Sequence, residues 1–244
     1  MTENISTEIQ PQDKPSGKYS NKIFIIDKPL DNTSANIVRI FKKNLNLKKA
    51  GHSGTLDPKA TGLLIICSDK MTKKINEFIE YDKEYEGIIR IGAVTKSFDT
   101  ESSEEQFTDV SGVTSEDIER VRISFMGESE QMPPMFSAIK HKGKPLYKLA
   151  RKGREIERAA RKITVKEFEV KRISESEIYF RILSSKGTYI RTIANDFGER
   201  LGTGGYLKEL RRLKIGRFDL SGLDRELQGI KFRMEDNDND QDII

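Results

Sequence analysis

The spacing of hydrophobic and polar residues predicts a series of strands from residue 22 onward. Ile23–Ile26 and Leu63–Cys67 are short unbroken apolar runs, which are typical of buried strands. Apolar positions alternate along one face of the segment from Tyr85 to Ala93, and this period of two predicts a strand with one buried face. Two more strands are predicted near Ile163–Val170 and Ile178–Leu183.

A period near 3.6 predicts helices between these strands. The first starts near Thr33, with a residue from 32 to 34 as its N-cap, and a second follows the buried run, with Asp69 as its cap. A capping box at Thr114–Asp117 opens the third, and Gly202 ends the fourth. Strands and helices do not alternate strictly. The pattern therefore favours an α+β fold, with a mixed or antiparallel sheet flanked by helices, over a doubly wound parallel sheet.

Three regions are distinguished by composition. Residues 1–21 are polar and aperiodic and are predicted to be a disordered leader, and residues 235–244 are predicted to be an acidic disordered tail. Between them, residues 22–234 contain no linker and no repeat, so we expect one continuous domain. The longest apolar run has five residues, whereas a membrane span needs roughly 20, and no signal peptide precedes the domain.

Cysteine and histidine are too rare to build a disulfide framework or a zinc site. The chain has one cysteine and two histidines. We therefore expect a reducing, cytoplasmic location and no metal.

The net charge of +4 conceals a strongly basic segment. Residues 132–162 contain ten Lys and Arg residues and two acids, whereas residues 235–244 contain five acids and no base. Such a run is commonly just a solvated face, but it is also what a phosphate-binding surface requires.

The densest group of chemically special residues is Gly51–Pro58, which Gly62 follows at the start of a buried strand. Closely spaced glycines and a proline predict a tight, preformed loop. An Asp-Pro pair is commonly an Asx-turn or a helix cap, and a lone histidine such as His52 is commonly structural. The loop has no P-loop lysine and no nucleophile elbow, so a single carboxylate, Asp57, remains as the candidate for chemistry.

This loop resembles the catalytic motif of the TruB family of tRNA pseudouridine-55 synthases, which read Gly-His-(Thr/Ser)-Gly-x-Leu-Asp-Pro. Other motifs of the family follow in the same order. They are Lys28-Pro29 with Thr33-Ser34, Lys83-Glu84-Tyr85, Met132–Lys140 with Gly143-Lys144, Leu146-Tyr147 and Ala150–Gly153, Ser185–Thr192, and Leu210–Arg212. The resemblance extends from about Ile25 to Phe218.

The resemblance implies roles for three catalytic residues. Asp57 is the essential carboxylate in the conversion of uridine to pseudouridine, either by attack on C1′ or by removal of the C2′ proton, and the residues leave that choice open. Arg191 is its expected partner, since a cation near the start of a helix benefits from an opposing carboxylate. Tyr85 is implied to stack on the target base, although its spacing alone favours a core aromatic.

The resemblance also implies the residues that bind RNA. His52 occupies the space left by the extruded uridine, Tyr189 and Leu210 line the pocket, and Lys28 supports the loop. Residues 132–162 form the thumb, which grips the T-arm of tRNA. The expected phosphate contacts are Lys140, Lys144, Lys148, Arg151, Lys152 and Arg154. No cofactor, no membrane and no obligate protein partner are implied, and we expect a monomer.

The chain departs from the family pattern in two places. Asp31 stands where the family has glycine, and we expect the turn to survive because Asp tolerates left-handed backbone. Only 26 residues follow Phe218, too few for the PUA-type RNA-binding domain of many relatives, so we expect the thumb to supply more of the grip.

Two alternatives belong to other functional classes. A tRNA-binding module without chemistry would be favoured by changes at Asp57, Tyr85 or Arg191, but all three residues are present. A hydrolase or metal nuclease would need a second acid or further ligands beside Asp57, and the loop offers none.

Overall fold

The structure, a computed structural model, describes residues 7–8 and 17–236. These residues form two compact units. Unit 1 combines the described residues up to Lys83 with those from Arg211 onward, and unit 2 is Glu84–Leu210. Within the described part of the chain, no helix is long and apolar enough to span a membrane.

Strands outnumber helices along the described residues. The first elements are β1 (Thr7–Glu8), β2 (Ile23–Lys28), α1 (Ser34–Asn44), β3 (Ala50–His52), β4 (Ala60–Ser68), a 3-10 segment (Asp69–Lys74) and α2 (Ile75–Glu80). Next come β5 (Lys83–Ile91), β6 (Val94–Thr95), β7 (Glu104–Glu105), α3 (Ser115–Ile123), β8 (Gly127–Gln131), β9 (Lys140–His141), β10 (Lys144–Pro145) and α4 (Leu146–Ala150). The last are β11 (Arg161–Arg172), β12 (Glu177–Ser184), α5 (Ile190–Leu201), β13 (Gly205–Ile215), β14 (Arg225–Leu227) and β15 (Ile230–Glu235).

Unit 1 contains a mixed sheet that is buried on both faces. Its strands lie in the order β1, β14, β15, β2, β4, followed by the part of β13 from Arg211 onward, and β3 also pairs with β4. The β1–β14 pair is parallel, whereas β14 to β15, β15 to β2 and β2 to β4 are antiparallel. On one face Phe24 packs against Phe41 of α1, and on the other Leu63 lies in the cluster that contains Phe78 of α2. The predicted doubly buried strand is confirmed.

The first helix is capped as predicted, but the second is not. Thr33 is the N-cap of α1, and its hydroxyl accepts from the Asn36 N–H at 3.0 Å. The prediction that Asp69 caps the helix after β4 was wrong, because Ser68 holds the cap position. The Asp69 carboxylate instead accepts from the Lys49 N–H at 2.8 Å.

Unit 2 is an α+β unit with an aromatic core. The early part of β13 neighbours β5, and the order continues through β12, β11 and β8. The capping box at Thr114 and the left-handed C-cap at Gly202 confirm the predicted ends of α3 and α5. The ring of Phe125, just after α3, stacks on Phe197 of α5 at 6.0 Å and lies edge-on to Phe168 of β11 at 6.0 Å, so both helices and the sheet share one core. Helices on mixed sheets confirm the predicted fold class.

Tyr19, within the predicted leader, packs in the core of unit 1, where it is 3% exposed. A sequence pattern does not show this contact, because Tyr19 stands alone among polar residues. The rest of the predicted leader, apart from residues 7–8 and 17–21, lies outside the described residues. The acidic tail beyond Asp236 lies outside them too. The predicted domain boundaries stay a prediction.

Candidate active site

Hydrogen bonds from the start of α1 hold the loop that carries Asp57 in place. The Ser34 hydroxyl donates to the Leu56 carbonyl at 3.0 Å and accepts from the Leu56 N–H at 2.9 Å. The Asp31 N–H donates to the Pro58 carbonyl at 2.9 Å, and the Ser53 N–H donates to the Ile65 carbonyl at 3.0 Å. Bonds on both sides of Asp57 therefore confirm the predicted preformed loop.

Asp57 itself lies at the first position of a turn. The Ala60 N–H donates to the Asp57 carbonyl at 3.1 Å, which places Pro58 second, where its fixed φ favours the turn. Strand β4 begins at Ala60, so Asp57 does not cap a helix. The residue is half-buried, which leaves part of it accessible on a rigid support.

Lys28 is buried beside this loop. It is 0% exposed, and its ammonium donates to the carbonyls of Pro29 at 3.0 Å and Asn32 at 2.7 Å. Burial lowers the pKa of Lys28 to about 8, and this effect is opposed by the Asp57 charge and increased by that of Arg212. These contacts fit the predicted support of the loop better than direct contact with RNA.

Arg212 is a second buried cation, and the sequence analysis assigned it no role although it belongs to the Leu210–Arg212 motif. It is 2% exposed; its Nε donates to the Leu63 carbonyl at 2.7 Å and its Nη2 to the Gly54 carbonyl at 3.3 Å. Arg212 thus joins β4 to the loop. Gly62 has φ +99°, and a Cβ there would lie 2.3 Å from the Arg212 carbonyl oxygen, so only glycine lets these backbones approach. The period of two in a strand could have indicated that one of two adjacent arginines points inward.

His52 lies at the end of β3, where it enters the loop. Burial lowers its pKa, and the charge of Arg212 lowers it further. The lowered pKa favours the neutral imidazole, which suits a side chain that is proposed to replace an uncharged base.

The departure at Asp31 leaves the turn intact. Asp31 adopts φ +60°, which confirms that the left-handed turn survives without glycine. Its carboxylate also accepts from the Lys59 ammonium at 2.7 Å, a contact that glycine could not make.

Arg191 lies in unit 2, at the second residue of α5, and is 5% exposed. Its guanidinium donates to the Ser97 carbonyl at 3.2 Å and the Phe136 carbonyl at 2.8 Å. The carboxylate of Asp99, itself 4% exposed, lies 3.5 Å away and offsets the unfavourable end of the helix dipole. Sequence analysis missed Asp99, since only the fold brings residues 99 and 191 together. The pairing of Arg191 with Asp57 stays a prediction.

The other unit 2 residues lie on α5 and on two adjacent strands. Tyr189, the N-cap of α5, is held through its backbone by the Gln131 amide, which accepts from the Tyr189 N–H at 2.8 Å and donates to its carbonyl at 3.1 Å. Tyr85 is on β5 and is 9% exposed, and Leu210 is half-buried on neighbouring β13. Their predicted contacts with the target base stay predictions.

The thumb, residues 132–162, presents its charges to solvent. It consists of the β9–β10 hairpin, the short helix α4 and a loop that leads to β11. The predicted phosphate contacts are all exposed: Lys140, Lys144, Lys148, Arg151, Lys152 and Arg154. Arg158 differs, since it donates to the Pro133 carbonyl at 3.2 Å and ties the thumb to its own base.

Solved structures share this fold. The chain matches a protein in the "Crystal Structure of a Cbf5-Nop10-Gar1 Complex" with a TM-score of 0.67 and 29% identity, over 93% of this chain and 58% of that one. It also matches a protein in the "Structure of H/ACA RNP bound to a substrate RNA containing 2'-deoxyuridine" with a TM-score of 0.64 and 26% identity, over 93% and 57%. The chain therefore spans less than two thirds of these solved chains.

Residues 42–190 match the profile of the TruB family pseudouridylate synthase (N terminal domain), and residues 191–241 match the tRNA pseudouridylate synthase B C-terminal domain. With the aspartate loop, these matches define the class as the pseudouridine synthases. The tRNA pseudouridine synthase B of Chloroherpeton thalassium is 49% identical over 85% of this chain and 86% of its own length, and that of Chlorobaculum tepidum is 49% identical over 81% and 84%. The chain belongs to the TruB family, which confirms the resemblance.

Proposed function

We propose that this enzyme converts uridine to pseudouridine at position 55, in the T-loop of tRNA. The observation that carries the proposal is Asp57, a half-buried carboxylate on a loop that Ser34, Asp31 and Arg212 fix through its backbone. Membership of the family and the names of the curated relatives support tRNA as the substrate.

The reaction needs one carboxylate and no net change in composition. The N1–C1′ bond breaks, the base rotates, and C5 joins C1′; C5 loses its proton and N1 gains one, so atoms and charge balance. Asp57 either attacks C1′ or removes the C2′ proton, and both routes require it to be ionised. No cofactor is needed, because neither route changes an oxidation state overall.

The remaining side chains bind and position the substrate. Arg191 is proposed to pair with the Asp57 carboxylate, and Tyr85 to stack on the target base. Neutral His52 fills the space left by the extruded uridine. Tyr189 and Leu210 line the pocket.

The macromolecular partner is proposed to be the T-arm of tRNA. The six exposed cations of the thumb contact its phosphates, and the folded shape of the arm supplies specificity. We propose a monomeric enzyme of the cytoplasm that needs no obligate protein partner.

Tritium release tests this function. The purified protein is incubated with an unmodified tRNA transcript that carries tritium at C5 of its uridines. We expect one tritium to be released per tRNA, and the pseudouridine to map to position 55. Tight binding without release would favour a tRNA-binding module, and release from other positions would contradict the proposed substrate site.

A further inference from the structure

Asp69 joins three segments of unit 1 that are far apart in sequence. Its carboxylate accepts from the Ser20 hydroxyl at 2.7 Å and from the Lys49 N–H at 2.8 Å, and its own N–H donates to the Lys49 carbonyl at 2.8 Å. It adopts φ +48°, a backbone conformation that aspartate tolerates better than most residues. The turn at residues 17–20, the segment before β3 and the 3-10 segment therefore meet at one aspartate.

Each of these segments carries exposed lysines within four residues of the groups that meet at Asp69, so the surface around Asp69 is rich in positive charge. We call this surface the lysine cluster, and its five members are Lys18, Lys48, Lys49, Lys70 and Lys73. The Lys70 N–H also donates to the Asn21 side chain at 3.0 Å, which fixes the 3-10 segment against the turn. Lys22 lies nearby but forms an ion pair with Asp236, so its charge is already balanced and it is not a member.

The central acid does not attract a foreign cation. Burial raises the pKa of Asp69, but hydrogen bonds from Ser20 and from the backbone of Lys49 and Lys48 together outweigh it, so the pKa lies below its usual value. The carboxylate is thus satisfied by groups of its own chain, and its single charge leaves a clear positive excess beside the five ammonium groups. A surface of this kind fits a polyanion with repeated charges.

We propose that the lysine cluster is a second phosphate-contact surface for the substrate RNA, separate from the thumb. The proposal rests on the proposed function, which makes RNA the substrate. The cluster lies at the far end of β4 from Asp57, because Ala50 of β3 pairs with Ser68 at the end of that strand, whereas Asp57 precedes its start at Ala60. Ala60 and Asp69 are nine residues apart, which at about 3.3 Å per residue is roughly 30 Å. The phosphates that the cluster contacts therefore belong to a part of the RNA well beyond the loop that carries the target uridine.

A charge-neutralising pair tests the proposal. Lys49→Gln/Lys70→Gln removes two exposed charges of the cluster, and Lys171→Gln/Lys231→Gln removes two exposed charges elsewhere, one in each unit. The dissociation constant for unmodified tRNA is measured for both variants and wild type between 50 and 200 mM salt, about the range in which phosphate contacts dominate. The kcat and KM for tritium release are measured alongside.

The cluster variant should bind more weakly, and the slope of log K against log salt should fall by about 1.5, since each lost phosphate contact is worth roughly 0.7 to 0.9. The KM should rise by a larger factor than kcat falls, whereas the control pair should match wild type. An unchanged slope, or an equal loss in the control, overturns the second surface. Wild-type protein that binds tRNA but releases no tritium would instead contradict the proposed function alone.

Discussion

At the scale of single residues, the two adjacent arginines of β13 have opposite roles. Arg212 is buried and bonds to carbonyls of β4 and of the Asp57 loop, whereas Arg211 is half-exposed and pairs with both carboxylate oxygens of Asp27, at 3.1 and 2.8 Å. Arg212→Met should cost about 2–4 kcal/mol of unfolding free energy, since it leaves two carbonyls without donors. Arg211→Met, the matched control, should cost below about 1 kcal/mol.

Urea denaturation of both variants measures these losses. Turnover at saturating tRNA should fall in Arg212→Met under conditions where it is folded, because the loop is no longer fixed at Gly54. Equal losses of stability in the two variants would contradict the structural role of Arg212.

The lowered pKa of Lys28 predicts that the free energy of unfolding depends on pH. Burial lowers its pKa from 10.5 to about 8 in the folded chain, so between these values the unfolded chain holds a proton that the folded chain lacks. The contribution of Lys28 to stability therefore rises with pH from about 8 to 10.5 and is smallest below 8. The stability of wild type minus that of Lys28→Met should grow over this range in chemical denaturation, and a constant difference would argue against a lowered pKa.

The sequence alone identified the candidate site residues of the Asp57 loop and Lys28 beside it, but it did not identify all of the residues that hold the site in place. Asp57, His52 and Lys28 belong to contiguous motifs, which a single sequence displays. Asp99 and Arg212 act through contacts with residues that are distant along the chain, and nothing in their local sequence encodes those partners.

At the scale of elements, Gln131 connects the end of β8 to the start of α5. It is 4% exposed, and its amide satisfies both backbone groups of Tyr189. Gln131→Leu leaves those groups unpaired and should destabilise the protein by roughly 1–3 kcal/mol. It should also lower kcat more than it changes KM, because Arg191 lies in the first turn of α5.

Single-turnover kinetics and denaturation measure both effects. Gln131→Glu keeps an oxygen to accept from the Tyr189 N–H, but it loses the donor and places a buried carboxylate opposite the Tyr189 carbonyl, so it should also be less stable than wild type. If Gln131→Leu kept wild-type turnover and stability, the contact between Gln131 and the Tyr189 backbone would have no functional importance.

Strands and helices could be predicted where one local signal dominated. A few adjacent residues are enough to recognise the buried run Leu63–Cys67, the capping box at Thr114 and the glycine that ends α5. Asp69 was misassigned because its strongest partners, Ser20 and Lys49, come from other segments, and such tertiary hydrogen bonds outweigh a local capping preference.

At the scale of the whole molecule, charge distribution governs the proposed grip on RNA. Lys148→Gln/Lys152→Gln removes two exposed charges of the thumb. The salt slope of tRNA binding should fall by about 1.5 and the affinity at low salt should decrease, with Lys171→Gln/Lys231→Gln again as the control. Fluorescence titration at several salt concentrations measures both quantities. A slope equal to that of wild type would show that these thumb charges are only solvated and do not contact phosphates.

The two basic surfaces differ in how far the sequence could predict them. The thumb is one continuous run of ten basic and two acidic residues, so a charge count along the chain finds it. The lysine cluster is assembled from three separate segments, each too short to stand out, and only the bonds around Asp69 bring its members together.

The central claim is that the Asp57 carboxylate performs the isomerisation. Its most direct test is single-turnover formation of pseudouridine at position 55 of an unmodified tRNA transcript, with Asp57→Ala and Asp57→Asn beside wild type. Both variants should bind tRNA nearly as well as wild type and should lose at least about 10⁴-fold in rate, as expected when an essential catalytic side chain is removed. Formation of pseudouridine by either variant at a rate close to that of wild type would contradict the account.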